Sequence, residues 1–207
     1  MSEAVLEAPP QSAEKSVPTA VSIASLPAAR ISVAQYHRMV ECGALTEEDR
    51  VELLDGMLVK KMAKGPKHEL IAGLLEDQIR PLLESGHFLG VETPIELETS
   101  EPEPDLAVIR GDRRDFAERH PGGSDCLLLI EVADTSLTKD RLKAALYAAG
   151  GVPEYWIVDL AGRTIITHRN QTPDGYQDVS ENATAKADLP CGKLSVSVND
   201  LLGEPVH

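Results

Sequence analysis

Three carboxylates stand among apolar neighbours: Glu52 in "VELL", Asp105 at the head of "DLAVI", and Glu131 inside "LLLIEVA". An ionised carboxylate withdrawn from water is costly unless a proton, a cation or a metal compensates it. The alternation of a strand puts Glu131 on the face of Leu129 and Ala133, and the unbroken apolar run around it implies a strand covered on both faces. Plainer readings exist for the other two. Glu52 fits a hairpin strand facing solvent, and Asp105, following Pro104, fits a strand entry bonded to backbone amides. One arrangement accommodates all three acids. Hard divalent cations such as Mg²⁺ or Mn²⁺ take oxygen ligands, commonly one or two carboxylates with waters and a substrate phosphate. Such an ion, held by Asp105 and Glu131, offsets their repulsion, lowers the pKa of bound water and stabilises charge on a phosphodiester.

The nearest ammonium after Glu131 that could serve such a site is Lys143, on the helix expected over 139–149. A helical wheel makes Leu142, Ala145, Leu146 and Ala149 the buried stripe, with Asp140, Lys143 and Tyr147 on the flank at i, i+3 and i+7. A lysine on a helix flank ordinarily meets only water. Its place on the helix that follows the Glu131 strand favours a role at the site.

The elements that must position these residues are legible in outline. Residues 1–28, rich in Pro, Ser, Ala and Glu, read as a disordered tail before a folded domain over 29–207. Ser32 and Gln35 have capping-box spacing, which predicts a short helix over 33–42. Asp55-Gly56 between two apolar runs predicts a hairpin. Leu70, Ile71, Leu74, Leu75, Ile79 and Leu82 recur at helical spacing over 67–84, with Pro81 in the last turn. Strands follow over 88–98, 105–109 and 126–133; the next helix stops at Gly150-Gly151. "EYWIVDL", "RTIITHR" and "KLSVSV" read as strands before a short final helix. "EYWIVDL" fits a central or an edge strand, and an exposed edge would support a homodimer. This mixed order describes an α/β sandwich with a mixed sheet; no glycine-rich phosphate fingerprint or internal repeat is present.

Composition narrows the class. Hydrophobic content of 42% and charged content of 26% describe an ordinary globular protein, and aromatics at 3% leave the core to Leu, Val, Ile and Ala. No apolar stretch approaches the roughly 20 residues of a membrane span, and no secretory signal is visible. Cys42, Cys126 and Cys191 are odd in number and far apart, which argues against both a disulfide scaffold and a zinc site and makes the cytoplasm the expected location. A formal charge of −14 opposes non-specific attraction to nucleic acid, so a DNA substrate requires a local basic rim. "KKMAKGPK", "RGDRR" and "KDRLK" are the runs able to form one.

The ordered series "ELLDG", "GPKH", "PDLAVIR", "LLLIEVADTSL", "DRLKAALYA" and "GVPEYWIVD" resembles the Uma-two family, grouped with restriction endonucleases in the PD-(D/E)XK nuclease superfamily, over about residues 31–203. The resemblance implies a restriction-endonuclease-like mixed central β-sheet flanked by helices, with an N-terminal β-hairpin. It also implies Asp105 and Glu131 as metal ligands, with Glu52 as a further acid near the site. Most nucleases of the superfamily carry lysine two residues after the glutamate, where this chain has Ala133. Uma-type sequences place it on the following helix, where Lys143 matches. His68 also matches a family position, yet at a helix entry it fits a capping or surface residue as well. Asp140 lies three residues before Lys143 where the family more often shows four, which puts its role in doubt.

Two functions from different classes follow. The first is a Mg²⁺- or Mn²⁺-dependent endonuclease that hydrolyses DNA phosphodiesters, with Asp105, Glu131 and Glu52 on the metal side and Lys143 positioning or stabilising. The second is a nuclease fold that binds or assembles without turnover, which the net charge favours. A hydrolase of another phosphoester would use the same site. No GxSxG-type nucleophile is present.

Overall fold

The computed structural model describes residues 28–203, so the tail expected over 1–28 lies, but for Ala28, outside the described residues. In chain order the helices are α1 (Val33–Glu41), α2 (Pro66–Ile79), α3 (Leu137–Ala149) and α4 (Val198–Leu202). The strands are β1 (Val51–Leu54), β2 (Met57–Lys60), β3 (His87–Val91), β4 (Leu106–Arg110), β5 (Cys126–Ala133), β6 (Glu154–Asp159), β7 (Thr164–Thr172), β8 (Gly175–Asn182), β9 (Thr184–Leu189) and β10 (Gly192–Ser197).

Six strands form one mixed sheet in the order β3-β4-β5-β6-β7-β8. Only β5 and β6 run parallel, because α3 carries the chain back between them; the other neighbours are antiparallel. β5 is apolar along nearly its whole length because both its faces are covered. Leu128, Ile130 and Val132 pack with Ile71, Leu75 and Ile79 of α2 and with Leu194 and Val196 of β10. Leu129 and Ala133 pack on the other face with Ala144 and Tyr147 of α3. The architecture is therefore an α/β sandwich, a mixed central sheet flanked by helices, with an N-terminal hairpin.

Local chemistry sets the elements around the site. Ser32 and Gln35 cap α1 reciprocally, each side chain accepting the other's backbone N–H. Asp55 and Gly56 both take left-handed conformations, φ 47° and 71°, as the tight turn of the β1–β2 hairpin requires. α2 starts with Pro66 in its first turn and ends at Ile79, after which the chain tightens into a 3₁₀ turn over Arg80–Leu82. Pro81 lies in that turn; it has no N–H with which to continue an α-helix.

Several expectations are corrected. Leu70, expected on the packed face of α2, is 60% exposed. The wheel drawn for α3 is inverted: Leu142 is 69% exposed, while Asp140, Lys143 and Tyr147 are buried. β8 and β9 were not expected; β8, "GYQDVSEN", is a largely exposed edge strand with no apolar pattern to betray it. Of the two placements open to "EYWIVDL", central or edge, β6 takes the central one and offers no free edge to a second copy; the sheet edges are β3 and β8.

Candidate active site

Four segments meet beside the C-terminal end of β5. The β4–β5 register pairs Leu106 with Ile130, and one step further lie Asp105 and Glu131. The Val132 N–H donates to Asp105 Oδ2 at 2.7 Å, tying that carboxylate to the strand that bears Glu131. Glu52 arrives on β1 and Lys143 on α3. Lys143 Nζ lies 2.8 Å from Glu131 Oε1 and 2.8 Å from Glu52 Oε2. All four side chains are buried. His68, in the first turn of α2, places Nε2 3.0 Å from Asp105 Oδ2. Asp140 instead accepts from the Ser136 hydroxyl in the first turn of α3.

Two further lysines belong to the cluster. Lys64 Nζ contacts Asp105 Oδ1 at 2.6 Å and Glu92 at 2.7 Å. Lys139, one turn before Lys143, reaches Glu52 Oε1 at 2.8 Å. Both stand in the basic runs of the sequence, but their partners lie 41 and 87 residues away, beyond any local pattern. The run "RGDRR" does not join them. Arg110 ends β4, opposite its Asp105 end, where it donates to Ser124, and Arg113 packs over Phe88.

The charges are unevenly shared. Burial works to raise the Glu52 carboxyl, but Lys143 and Lys139 outweigh it and hold it below the usual carboxylate range. Burial opposes ionisation of Asp105 too, yet the His68 hydrogen bond and Lys64 bring it down to about 2. At Glu131 burial prevails over Lys143, and with repulsion from Asp105 and Asp140 pushes the carboxyl up to about 8. Burial alone would lower Lys143; attraction to Glu131 and Glu52 instead keeps it above its ordinary value. Glu52 thus has two ammonium partners, Lys143 and Lys139, whereas Glu131 has Lys143 alone among the described residues and feels the stronger push toward the neutral form.

These residues line an open cavity of about 300 Å³. Its wall carries eight carboxylates against five Lys or Arg side chains, an excess that repels a phosphodiester unless a further cation is present. Among the described residues every polar contact to the Glu131 side chain falls on Oε1, which leaves Oε2 to the cavity.

A family model, Uma2, described as "Putative restriction endonuclease", matches residues 33–197. The chain belongs to the Uma2 family. No curated protein matches it. Among solved structures this Uma2 chain is similar to a "putative nuclease belonging to DUF820" from Anabaena variabilis ATCC 29413. The two share 20% identity at a TM-score of 0.60, over 79% of this chain and 96% of that one. At that identity the likeness carries the fold. No helix among the described residues is long and apolar enough to cross a membrane. Two residues after Glu131 the Uma2 chain has the buried Ala133, and α3 brings the ammonium of Lys143 to the glutamate from the flank.

Proposed function

We propose that this Uma2 protein is a divalent-metal-dependent endonuclease acting on DNA, with its site at the Asp105–Glu131 cavity. The observation that carries the reading is the convergence of Glu52, Asp105, Glu131 and Lys143 on one open, net-acidic cavity, with Glu131 Oε2 unengaged. The donor set fits a hard cation. Asp105 and Glu131 offer oxygen only, and Lys64, the cation now on Asp105 Oδ1, is 31% exposed and free to swing aside. Asp105 and Glu131 would hold Mg²⁺ or Mn²⁺, with Glu52 as a further acid beside them. When bound, the ion lowers the pKa of a coordinated water and offsets charge on the scissile phosphodiester. Lys143, fixed by Glu52, presents an ammonium beside Glu131, where it steadies the charge that develops on the phosphate. Lys64 and Lys139 add positive charge at the rim for the DNA backbone, so binding is modest and falls steeply with salt. The test is nicking of supercoiled plasmid with added Mg²⁺ or Mn²⁺. Cleavage by the wild type that is lost in Glu131→Ala is expected; equal activity in both rejects the assignment.

One observation favours a second reading, a nuclease fold that binds without turnover: Asp105, Glu131 and Glu52 are each already paired with a protein cation. Calorimetric titration with Mn²⁺ separates the two. A folded wild type without saturable binding supports the inactive module.

A further inference from the structure

Glu101 is buried like the acids of the cavity, at 5% exposure, but no Lys or Arg among the described residues pairs with it. Its two oxygens face imidazoles instead. His37 Nε2 of α1 lies 2.5 Å from Oε2, and His120 Nε2 lies 4.0 Å from Oε1. Glu96 completes the group: ligand atoms of His37, Glu96 and Glu101 all fall within 4.8 Å of one another. We propose that these residues form a second metal site, selective for a first-row transition ion of the Zn²⁺ class.

The donor chemistry sets the choice. Imidazole nitrogen with carboxylate oxygen suits Zn²⁺, Co²⁺ or Ni²⁺, whereas Mg²⁺ prefers oxygen alone. A buried carboxylate lacking a lysine or arginine gains a permanent counter-charge when such an ion binds. The backbone holds the ligands in place. The Glu101 N–H donates to the Leu53 carbonyl at 2.7 Å, and the Glu96 N–H donates to the Pro121 carbonyl, beside His120, at 2.8 Å. Zn–N and Zn–O bonds of ~2 Å in a tetrahedron separate the ligand atoms by ~3.3 Å. The 2.5 Å contact of His37 Nε2 with Glu101 Oε2 must therefore open by roughly 0.8 Å and the exposed Glu96 close by no more than roughly 1.5 Å, while the exposed His120, 4.0 Å from Glu101 Oε1, swings in as a further ligand by a rotamer change. The cluster borders a second cavity of about 630 Å³, adjoining the first along Arg50, Lys61 and Glu103, through which an ion can enter.

Such an ion joins α1, the turn at 96–101 and the loop at 117–122 next to the strand that presents Glu52. Leu53 pairs with Glu101, and the Glu103 N–H donates to Glu52 Oε2 at 3.3 Å. The site stands apart from the nuclease reading, since none of its ligands lines the Asp105–Glu131 cavity.

The full chain is titrated with Co²⁺ and followed by proton NMR of the histidine rings. Hyperfine-shifted N–H signals from both His37 and His120 at one equivalent are expected, with none after Mg²⁺ at the same concentration. Calorimetry with Zn²⁺ then uses Asp105→Asn/Glu131→Gln protein, in which the acid cavity is silenced. One equivalent is expected to bind, and adding His37→Asn should weaken it at least tenfold, since loss of even an outer-shell partner costs about 10–100-fold. Unmoved His37 and His120 signals overturn the proposal, as does Zn²⁺ affinity unchanged by His37→Asn. The NMR arm needs no substitution, so it decides even if the variants fold poorly.

Discussion

The buried carboxylates of the Asp105–Glu131 cavity and the buried Glu101 both lie beside the N-terminal hairpin and are neutralised differently. In the Asp105–Glu131 cavity Glu52, Asp105 and Glu131 each meet a lysine, Asp105 with the His68 imidazole besides; at Glu101 the facing groups are imidazoles. A lysine is a charge on a tether, able to leave one oxygen for another but not to supply a ligand atom. Imidazole supplies one. Apart from the His68 imidazole on Asp105, the first group is thus an oxygen set with resident cations, suited to a hard ion and a phosphate, and the second is a nitrogen–oxygen set with no Lys or Arg partner among the described residues. They are neighbours along the chain, Glu101 pairing with Leu53 while Glu103 reaches Glu52. Burial of an acid therefore signals a need for compensation, and the facing side chains decide what meets it.

The largest expected effect concerns the open oxygen of Glu131. Glu131→Gln keeps the shape and the contact to Lys143 but removes the charge that an ion requires. Mg²⁺-dependent plasmid nicking should fall by on the order of 10²–10³ or more, the scale of losing one preorganised electrostatic group. Retained cleavage would move the reaction elsewhere on the surface. Lys143→Met tests the lysines as structural cations. It leaves two acids buried without their shared partner and should cost about 3–5 kcal/mol in chemical denaturation. A Glu131→Gln/Lys143→Met double variant should recover part of that loss, because Glu131 has no second cation partner among the described residues, whereas Glu52 keeps Lys139.

Asp105 sharpens the contrast by its acid limb. Its carboxyl titrates near 2 when folded, against an ordinary 3.8, so its stabilising contribution is complete above the unfolded value and is lost as pH falls from about 4 to 2. That contribution is on the order of 2 kcal/mol. Unfolding curves for Asp105→Asn should lack this part of the acid slope, and identical slopes would mean that His68 and Lys64 do not hold the acid as described. A smaller effect is expected at Lys64, which is partly exposed and competes for Asp105 Oδ1. Surface-type pairs contribute ~0–1 kcal/mol, so Lys64→Gln should tighten Mn²⁺ binding by no more than roughly fivefold. Weaker binding would make Lys64 a helper of the ion and not its rival.

The sequence was most readable where structure depends on near neighbours. The Ser32–Gln35 cap, the Asp55-Gly56 turn and the two-sided burial of β5 each follow from residues a few positions apart. Glu52, Asp105, Glu131 and Lys143 could be singled out because a carboxylate in an apolar run poses an energetic problem that needs a cation. Lys64 and Lys139 stood in plain basic runs, and what assigns them is tertiary pairing. The His37–Glu101 contact spans 64 residues with no apolar anomaly at either end. Judging zinc by cysteine alone could not have found it. β8 was missed for a related reason: its side chains face water on an edge, and backbone pairing with β7 makes it a strand.

Helix α3 shows the same limit in a form that one pair of substitutions measures. Counting Leu and Ala as the buried stripe put Leu142 inward, yet the face toward the sheet is set by what that sheet contains. Glu131 on β5 and Glu52 on β1 need an ammonium, so Lys143 turns inward with Tyr147, and Leu142, one residue away on the wheel, is left in solvent. Leu142→Lys should therefore change stability by no more than about 0.5 kcal/mol, as expected of a surface site. Ala148→Lys, on the buried face, places a second ammonium against a packed core and should be strongly destabilising in the same denaturation assay. If the two variants behaved alike, the rotation of α3 about its axis would be wrong, and with it the placement of Lys143 beside both glutamates.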